Sequence, residues 1–410
     1  MHIGYAQAVI TPKLEPPVYM AGFAHNRIAQ SINDDLYARA LALQDEAGRC
    51  VVLVAVDVIG LFRKDVVDII SQVQYAEHFL EGHQQEPAII LSAVHPHHGP
   101  DTMGLWGPDA RTSGVNPEYL HILKEAITYV ILNAIDTLEP VSGMRTVSVD
   151  VPGLAKNARD AHILDEELLV MQFLDQDRQV TVSLFNFACH PEVLAPDNVH
   201  ITADFPGYLI REVEAQTGAP CLFFSADLGG MMTPDVTEHS FAEAETLGSA
   251  LAKSGLAAIA NTPPITALPL ALYTKMISVK LTNLLFKIAI KRGLFPDLRD
   301  ARGHLHSEVN LLQIGPVWLV TVPGELFPKL GLALKDRLRK AGAAWAGVIG
   351  LANDELGYIL PEEDYRYPLN PLRPGNHYEE TNSVGKAIGP AVIAAVADLL
   401  REQTASKNEM

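Results

Sequence analysis

The stretch Ala88-Ile-Ile-Leu-Ser-Ala-Val94-His95-Pro96-His97-His98-Gly99-Pro100 runs apolar for seven residues and then stops on three imidazoles. A continuous apolar run of this length reads as a strand buried on both faces. In extended backbone, side chains two apart point to the same side, so His95 and His97 face one cavity while His98 turns away. Imidazole nitrogen is a preferred zinc ligand, and catalytic zinc sites use about three protein ligands plus a water. Taken alone, the segment also fits a polar loop with structural histidines.

Working outward, the same pattern recurs. Val51–Val56 ends at Asp57, Val180–Cys189 at His190, and Cys221–Ala226 at Asp227. Val317–Val322 leads through Pro323-Gly324 to Glu325, and Gly347–Ala352 leads to Asn353, Asp354, Glu355 and Tyr358. Between these runs lie helix candidates at Pro117–Leu138, Tyr208–Gln216, Ser240–Ala260 and Lys386–Gln403. Strands interleaved with helices define an α/β fold, here expected as a mixed β-sheet core flanked by helices. Ligands of such folds bind beyond the carboxyl ends of the strands. Six polar strand ends therefore imply one shared site, read as a metal site.

The rest of the chain narrows the classes. A net charge of −18 repels phosphate backbones and argues against nucleic-acid binding. Cys50, Cys189 and Cys221 are far apart, too few for a disulfide scaffold, and fit a reducing compartment. With no signal-like N-terminus and no long apolar run, a cytoplasmic protein without a transmembrane segment is expected. Residues 1–400 are expected to form one domain, with 401–410 a frayed polar tail. The one compositional seam is the proline-rich segment Asn261–Pro269. Lys275–Phe295 is basic within an acidic chain and reads either as a lipid-touching segment or as strand and loop with solvated lysines.

In order along the chain, Gly4–Pro12, Asp35–Arg39, His95–Pro100, Asn186-Phe-Ala-Cys-His190, Ala203–Gly207, Pro323-Gly-Glu325 and Ala352–Tyr358 resemble the catalytic domain of the neutral/alkaline ceramidase family. The resemblance spans about Ile3 to Leu400. It implies a zinc-dependent hydrolase whose ligands are His95, His190, Glu325 and Tyr358. It also implies that His97 orients the substrate carbonyl and attacking water, that Tyr378 contacts the oxyanion, and that Arg159, matched with a one-position shift, belongs to the active site. The expected substrate is a small or lipid-like N-acyl amide, with esters as a further class. Asp57, Asp204 and Asp227 read either as groups that orient the imidazoles from behind or, equally, as structural caps or turn residues.

Two departures bear on substrate. The family's Gly-Asp-x-Ser-Pro reads Gly230-Met231-Met232-Thr233-Pro234 here, so Met231 stands in the aspartate's place and Thr233 in the serine's. The β-sandwich domain of the long ceramidases is also expected to be missing after Leu400. Two rival readings stand beside the amidase. One is another metallohydrolase class, though Gly99-Pro100-Asp101 does not fit the His-x-His-x-Asp-His pattern. The other is a homologue that binds metal or ligand without turnover.

Overall fold

In the computed structural model the described residues are 1–79, 86–366 and 378–408. All six expected strand runs are strands: Cys50–Val56, Ala88–Ala93, Val180–Phe187, Cys221–Ser225, Val317–Thr321 and Trp345–Ile349. They pair two by two, in parallel, and each parallel pair sits at one edge of a separate mixed sheet.

The first sheet runs in the order Ala88–Ala93, Cys50–Val56, Tyr37–Gln44, His2–Val9, Glu139–Pro140. The second runs Cys221–Ser225, Val180–Phe187, Glu167–Leu174, Gly143–Asp150, and the third Leu270–Lys280, His304–Ile314, Val317–Thr321, Trp345–Ile349. The antiparallel strands escaped the sequence reading because several alternate apolar and polar side chains. In Gly143–Asp150 only three of the eight residues are buried, as expected of a sheet with one face near solvent.

Helices cover the outer faces. Pro117–Asp136 packs on the first sheet, Asp204–Thr217 and Phe241–Ile259 on the second, and Pro328–Lys340 and Ile388–Asn408 on the third. The helix Pro117–Asp136 starts where Asn116 accepts hydrogen bonds from the Glu118 and Tyr119 amides, and it has proline in its first turn. Asn261–Pro269 is the connector from the second sheet to the third. The expected frayed tail is corrected. Ile388–Asn408 continues as helix through most of it, because Gln403 is buried and Lys275 pairs with Asp398 and Glu402 at 3.3 and 3.7 Å. Residues 409–410 lie outside the described residues.

The three parallel pairs meet edge to edge along a polar seam. Ser92 Oγ donates to the Gly350 carbonyl at 2.8 Å, and Ser225 Oγ to the Val94 carbonyl at 2.7 Å. Asn186 Nδ2 donates to the Phe224 and Val348 carbonyls at 3.0 and 2.8 Å. Buried edge strands leave backbone groups unpaired, and these short side chains satisfy them. The seam gathers the carboxyl ends of strands from all three sheets at one place.

Candidate metal centre

His95, His97 and His190 meet at the head of that seam. Their ring centroids form a near-equilateral triangle, 5.1 Å for His95–His97, 5.3 Å for His95–His190 and 5.4 Å for His97–His190. One nitrogen from each lies within 4.8 Å of the other two, and all three residues are buried. Glu325 completes the cluster, with Oε2 at 2.9 Å from His190 Nε2 and 3.8 Å from His95 Nε2. The Tyr358 ring stands beside it, because Glu325–Leu326 and Tyr358–Ile359 pair as a short parallel ladder.

His95 and His97 do share a cavity and His98 turns away, but not through an extended strand. The strand ends at Ala93, and His95 takes a left-handed backbone with φ of 76°. His98 points into the core, where its Nδ1 accepts from Arg27 Nη2 and Asn198 Nδ2, both at 3.1 Å. Gly22 is required for the arrangement, since a Cβ there would come within 2.5 Å of the His97 side chain.

Each imidazole is held from behind by one nitrogen. His95 Nδ1 contacts the Ile59 carbonyl, His190 Nδ1 the Met232 carbonyl at 2.8 Å, and His97 Nδ1 the Glu192 carboxylate at 3.0 Å. Such partners fix ring orientation and are typical of metal-binding histidines. Sequence reasoning missed them. Two are backbone carbonyls with no residue signature, and Glu192 looks like any loop carboxylate until the fold sets it against His97.

None of Asp57, Asp204 and Asp227 backs an imidazole of the cluster, which corrects the first of their two readings and leaves the structural one. Asp57 accepts from Arg39 Nη1 and the Tyr37 amide at 2.9 and 2.8 Å. Asp204 accepts from the Val193, Leu194 and Phe205 amides. Asp227 sits 3.9 Å from buried Lys335, which also pairs with Asp165 at 2.5 Å. Asp57 and Asp204 cap buried backbone amides, whereas Asp227 belongs to the buried charge cluster around Lys335.

Burial acts differently on the cluster. It pulls His95 down to about 3, keeping it a neutral imidazole. In His190 the bond to Glu325 and the charge of Glu192 outweigh burial and hold it above its ordinary value. Glu325 is held low because His95 and His190 outweigh its own desolvation. The donor set suits zinc, since imidazoles and a carboxylate are its usual nitrogen and oxygen ligands. Ligand atoms about 2.0–2.1 Å from a tetrahedral ion stand roughly 3.3 Å apart. The observed 2.9 and 3.8 Å separations bracket that spacing.

The cluster lies where two depressions meet. An apolar cavity of about 370 Å³ is walled by Phe62, Met103, Trp106, Phe286, Ile290 and Phe295 and ends at His95, His97 and Glu325. A polar groove of about 860 Å³ runs past Asn157, Arg159, Glu192, Lys329, Asp364 and Glu379. Gly22, His97, Tyr358 and Tyr378 line both. Tyr378 is half-exposed at the junction, with its ring 5.9 Å from that of Tyr358. The Arg159 guanidinium is held by Glu379 at 2.7 Å and Glu380 at 2.8 Å, on the groove side rather than in the imidazole cluster. Met231, with φ of 57°, places its sulfur 3.4 Å from the Tyr358 hydroxyl, which donates to it.

An α/β protein with a buried imidazole cluster at converging strand ends is the class that fold and site define. No family model matches the sequence, and no curated protein matches it. Among solved structures, neutral ceramidase from Pseudomonas aeruginosa matches with a TM-score of 0.77 at 16% identity, covering 97% of this chain and 74% of that one. A ceramidase complexed with C2 matches with a TM-score of 0.79, also at 16% identity, covering 98% and 75%. The chain has the neutral ceramidase fold, which bears out the fold implied by the resemblance of its motifs.

Proposed function

We propose that this chain is a zinc-dependent amidohydrolase of N-acyl amides, ceramidase-like in mechanism, with simple esters as a second substrate class. The observation that carries the reading is the placement of three back-anchored imidazoles and Glu325 where an apolar cavity meets a polar groove. His95, His190, Glu325 and Tyr358 would hold the ion. Zinc held there would supply an acidified water, its pKa lowered from about 15.7 towards about 7, and Lewis acidity toward the scissile carbonyl. The acyl chain occupies the apolar cavity and the amine side the polar groove. His97, steadied by Glu192, takes a proton and returns one to the departing amine. The Tyr378 hydroxyl donates to the oxyanion. Arg159 fixes the Glu379–Glu380 turn and so positions Tyr378. The three cysteines, all buried and too few for a disulfide scaffold, keep the cytoplasm as the proposed location.

Met231 shapes substrate choice. A thioether replaces a charged acceptor with a soft apolar wall, which favours amides and esters smaller and less polar than ceramide. The test pairs metal analysis with a substrate series from short N-acyl amides and aryl esters to long-chain ceramide. His95→Ala and His190→Ala should lose stoichiometric zinc. His97→Ala should keep it while turnover falls about 10² to 10⁴-fold. Full zinc in both ligand variants would overturn the site, and loss of zinc in His97→Ala would make His97 a ligand. Ceramide outpacing every smaller substrate would overturn the role of Met231. Stoichiometric zinc without turnover of any member would favour the rival reading of a non-catalytic binder, which also rests on Met231.

A further inference from the structure

The outer wall of the apolar cavity is the helix Leu284–Lys291, and none of its residues is buried. Its inner side carries Phe286 and Ile290, one turn apart, which line the cavity. Phe286 packs edge-on against Phe295, and Phe295 against Phe62, with centroids 5.2 and 5.3 Å apart. Leu284 and Leu285, 57% and 48% exposed, and Ile288, 37% exposed, stand on the other side. Three large aliphatic side chains clustered on one short helix are unusual for a face that meets only water.

The charge around this face is opposite to that of the molecule. From Lys280 to Pro296 the chain carries Lys280, Lys287, Lys291 and Arg292 and no carboxylate, within a protein of net charge −18. None of these four makes an ion pair with another described residue. The nearest acids in sequence are occupied, Asp297 by Arg299 at 2.7 Å and Asp300 by His306 at 3.1 Å. The helix is also firmly placed. Asn283 caps it and donates to the Thr381 and Ser383 carbonyls at 2.8 and 2.7 Å, tying its start to the loop that follows Tyr378.

We propose that this helix is an interfacial element that seats the mouth of the apolar cavity on an anionic lipid bilayer. Leu284, Leu285 and Ile288 enter the acyl boundary while Lys287, Lys291 and Arg292 meet the headgroups, the division of labour of amphipathic helices lying in the interface plane. The acidic remainder of the surface is repelled by the same bilayer, which fixes the orientation and turns the cavity mouth towards the lipid. A bilayer suits this face better than an acidic protein partner, because the aliphatic residues stand in the middle of the basic ones.

The inference does not depend on hydrolysis, and its test reads none. The full chain is sedimented with phosphatidylcholine vesicles prepared with and without phosphatidylserine. It should cosediment with the phosphatidylserine vesicles, and added salt should weaken binding. Leu284→Ser/Leu285→Ser/Ile288→Ser should abolish binding at an unchanged Tm, since those side chains are exposed. Lys287→Gln/Lys291→Gln/Arg292→Gln should weaken it about a hundredfold, at roughly fivefold per charge. Wild-type protein that ignores anionic vesicles, or a triple serine variant that binds as well as wild type, overturns the proposal. So does concentration-dependent dimerisation abolished by the same serine substitutions, which would make a second copy the occupant.

Discussion

Asp204 holds its carboxyl fully buried, and burial raises its pKa to about 7 against three amide hydrogen bonds that act to lower it. The unfolded chain ionises the same group near its ordinary value of about 3.9. Between roughly pH 4 and 7 the folded state therefore binds more protons than the unfolded one. Stability from this group is fully present below the unfolded pKa and is lost as pH rises through the folded one. Asp204→Asn removes the titration and keeps one amide acceptor, and asparagine tolerates the left-handed backbone at φ of 57°. The Tm difference between variant and wild type should move in the variant's favour from pH 4 to pH 8. A difference that stays flat across that range would show that Asp204 does not titrate in this window. Neither which amides Asp204 caps nor the pairing of His97 with Glu192 was legible in the sequence, because both depend on loops brought together by the fold.

Among the elements, one asparagine joins Ser92 in bridging the seam between the first and third sheets. Asn353 follows the strand Trp345–Ile349, is 1% exposed and sits at φ of 58°. Its Oδ1 accepts from the Leu91 amide at 2.7 Å, and its Nδ2 donates to the Ile89 carbonyl at 3.1 Å and to Glu308 Oε1 at 2.6 Å. It thereby satisfies the buried, otherwise unpaired edge of Ala88–Ala93, the strand that leads into His95. Asn353→Ala leaves those groups without partners and puts a less tolerant residue in the left-handed region, for a cost of about 2–4 kcal/mol. Urea denaturation should show a lower midpoint with unchanged slope. A loss under about 0.5 kcal/mol, the level of an ordinary surface substitution, would mean that the seam is held elsewhere. The basic segment Lys275–Phe295 also resolves at this scale. It is neither plain strand nor loop, because Asn283 starts a helix that the apolar spacing of only eight residues could not announce.

At the scale of the whole molecule, the proposed ligands come from all three sheets. His95 follows a strand of the first, His190 one of the second, and Glu325 one of the third. A bound ion therefore ties together parts that otherwise meet only through side-chain and backbone contacts along the seam. Zinc at about a hundred times its Kd adds about 2.7 kcal/mol to the folded state. For a chain of this size that corresponds to roughly 3 °C in Tm. Chelation should lower Tm by about that amount and zinc should restore it. An identical Tm with and without chelator would separate the histidine cluster from metal binding altogether.

The sequence by itself determined the parallel-pair strands, four of the helices flanking them but not Pro328–Lys340, and the residues that stand at the strand ends. Those signals are local: an unbroken apolar run, a change of period, and a polar residue where the run stops. It also carried a motif order similar to the ceramidase family, whose fold the chain has. Only the tertiary structure decided that the strands divide among three sheets, that His97 leans on Glu192 rather than on an aspartate, and that Arg159 serves the groove. Sheet membership is set by which edges find partners, and the imidazole orientations by backbone carbonyls at Ile59 and Met232. Every residue carries a carbonyl, so no choice of side chain marks the two that matter, and only the packing of three sheet edges selects them.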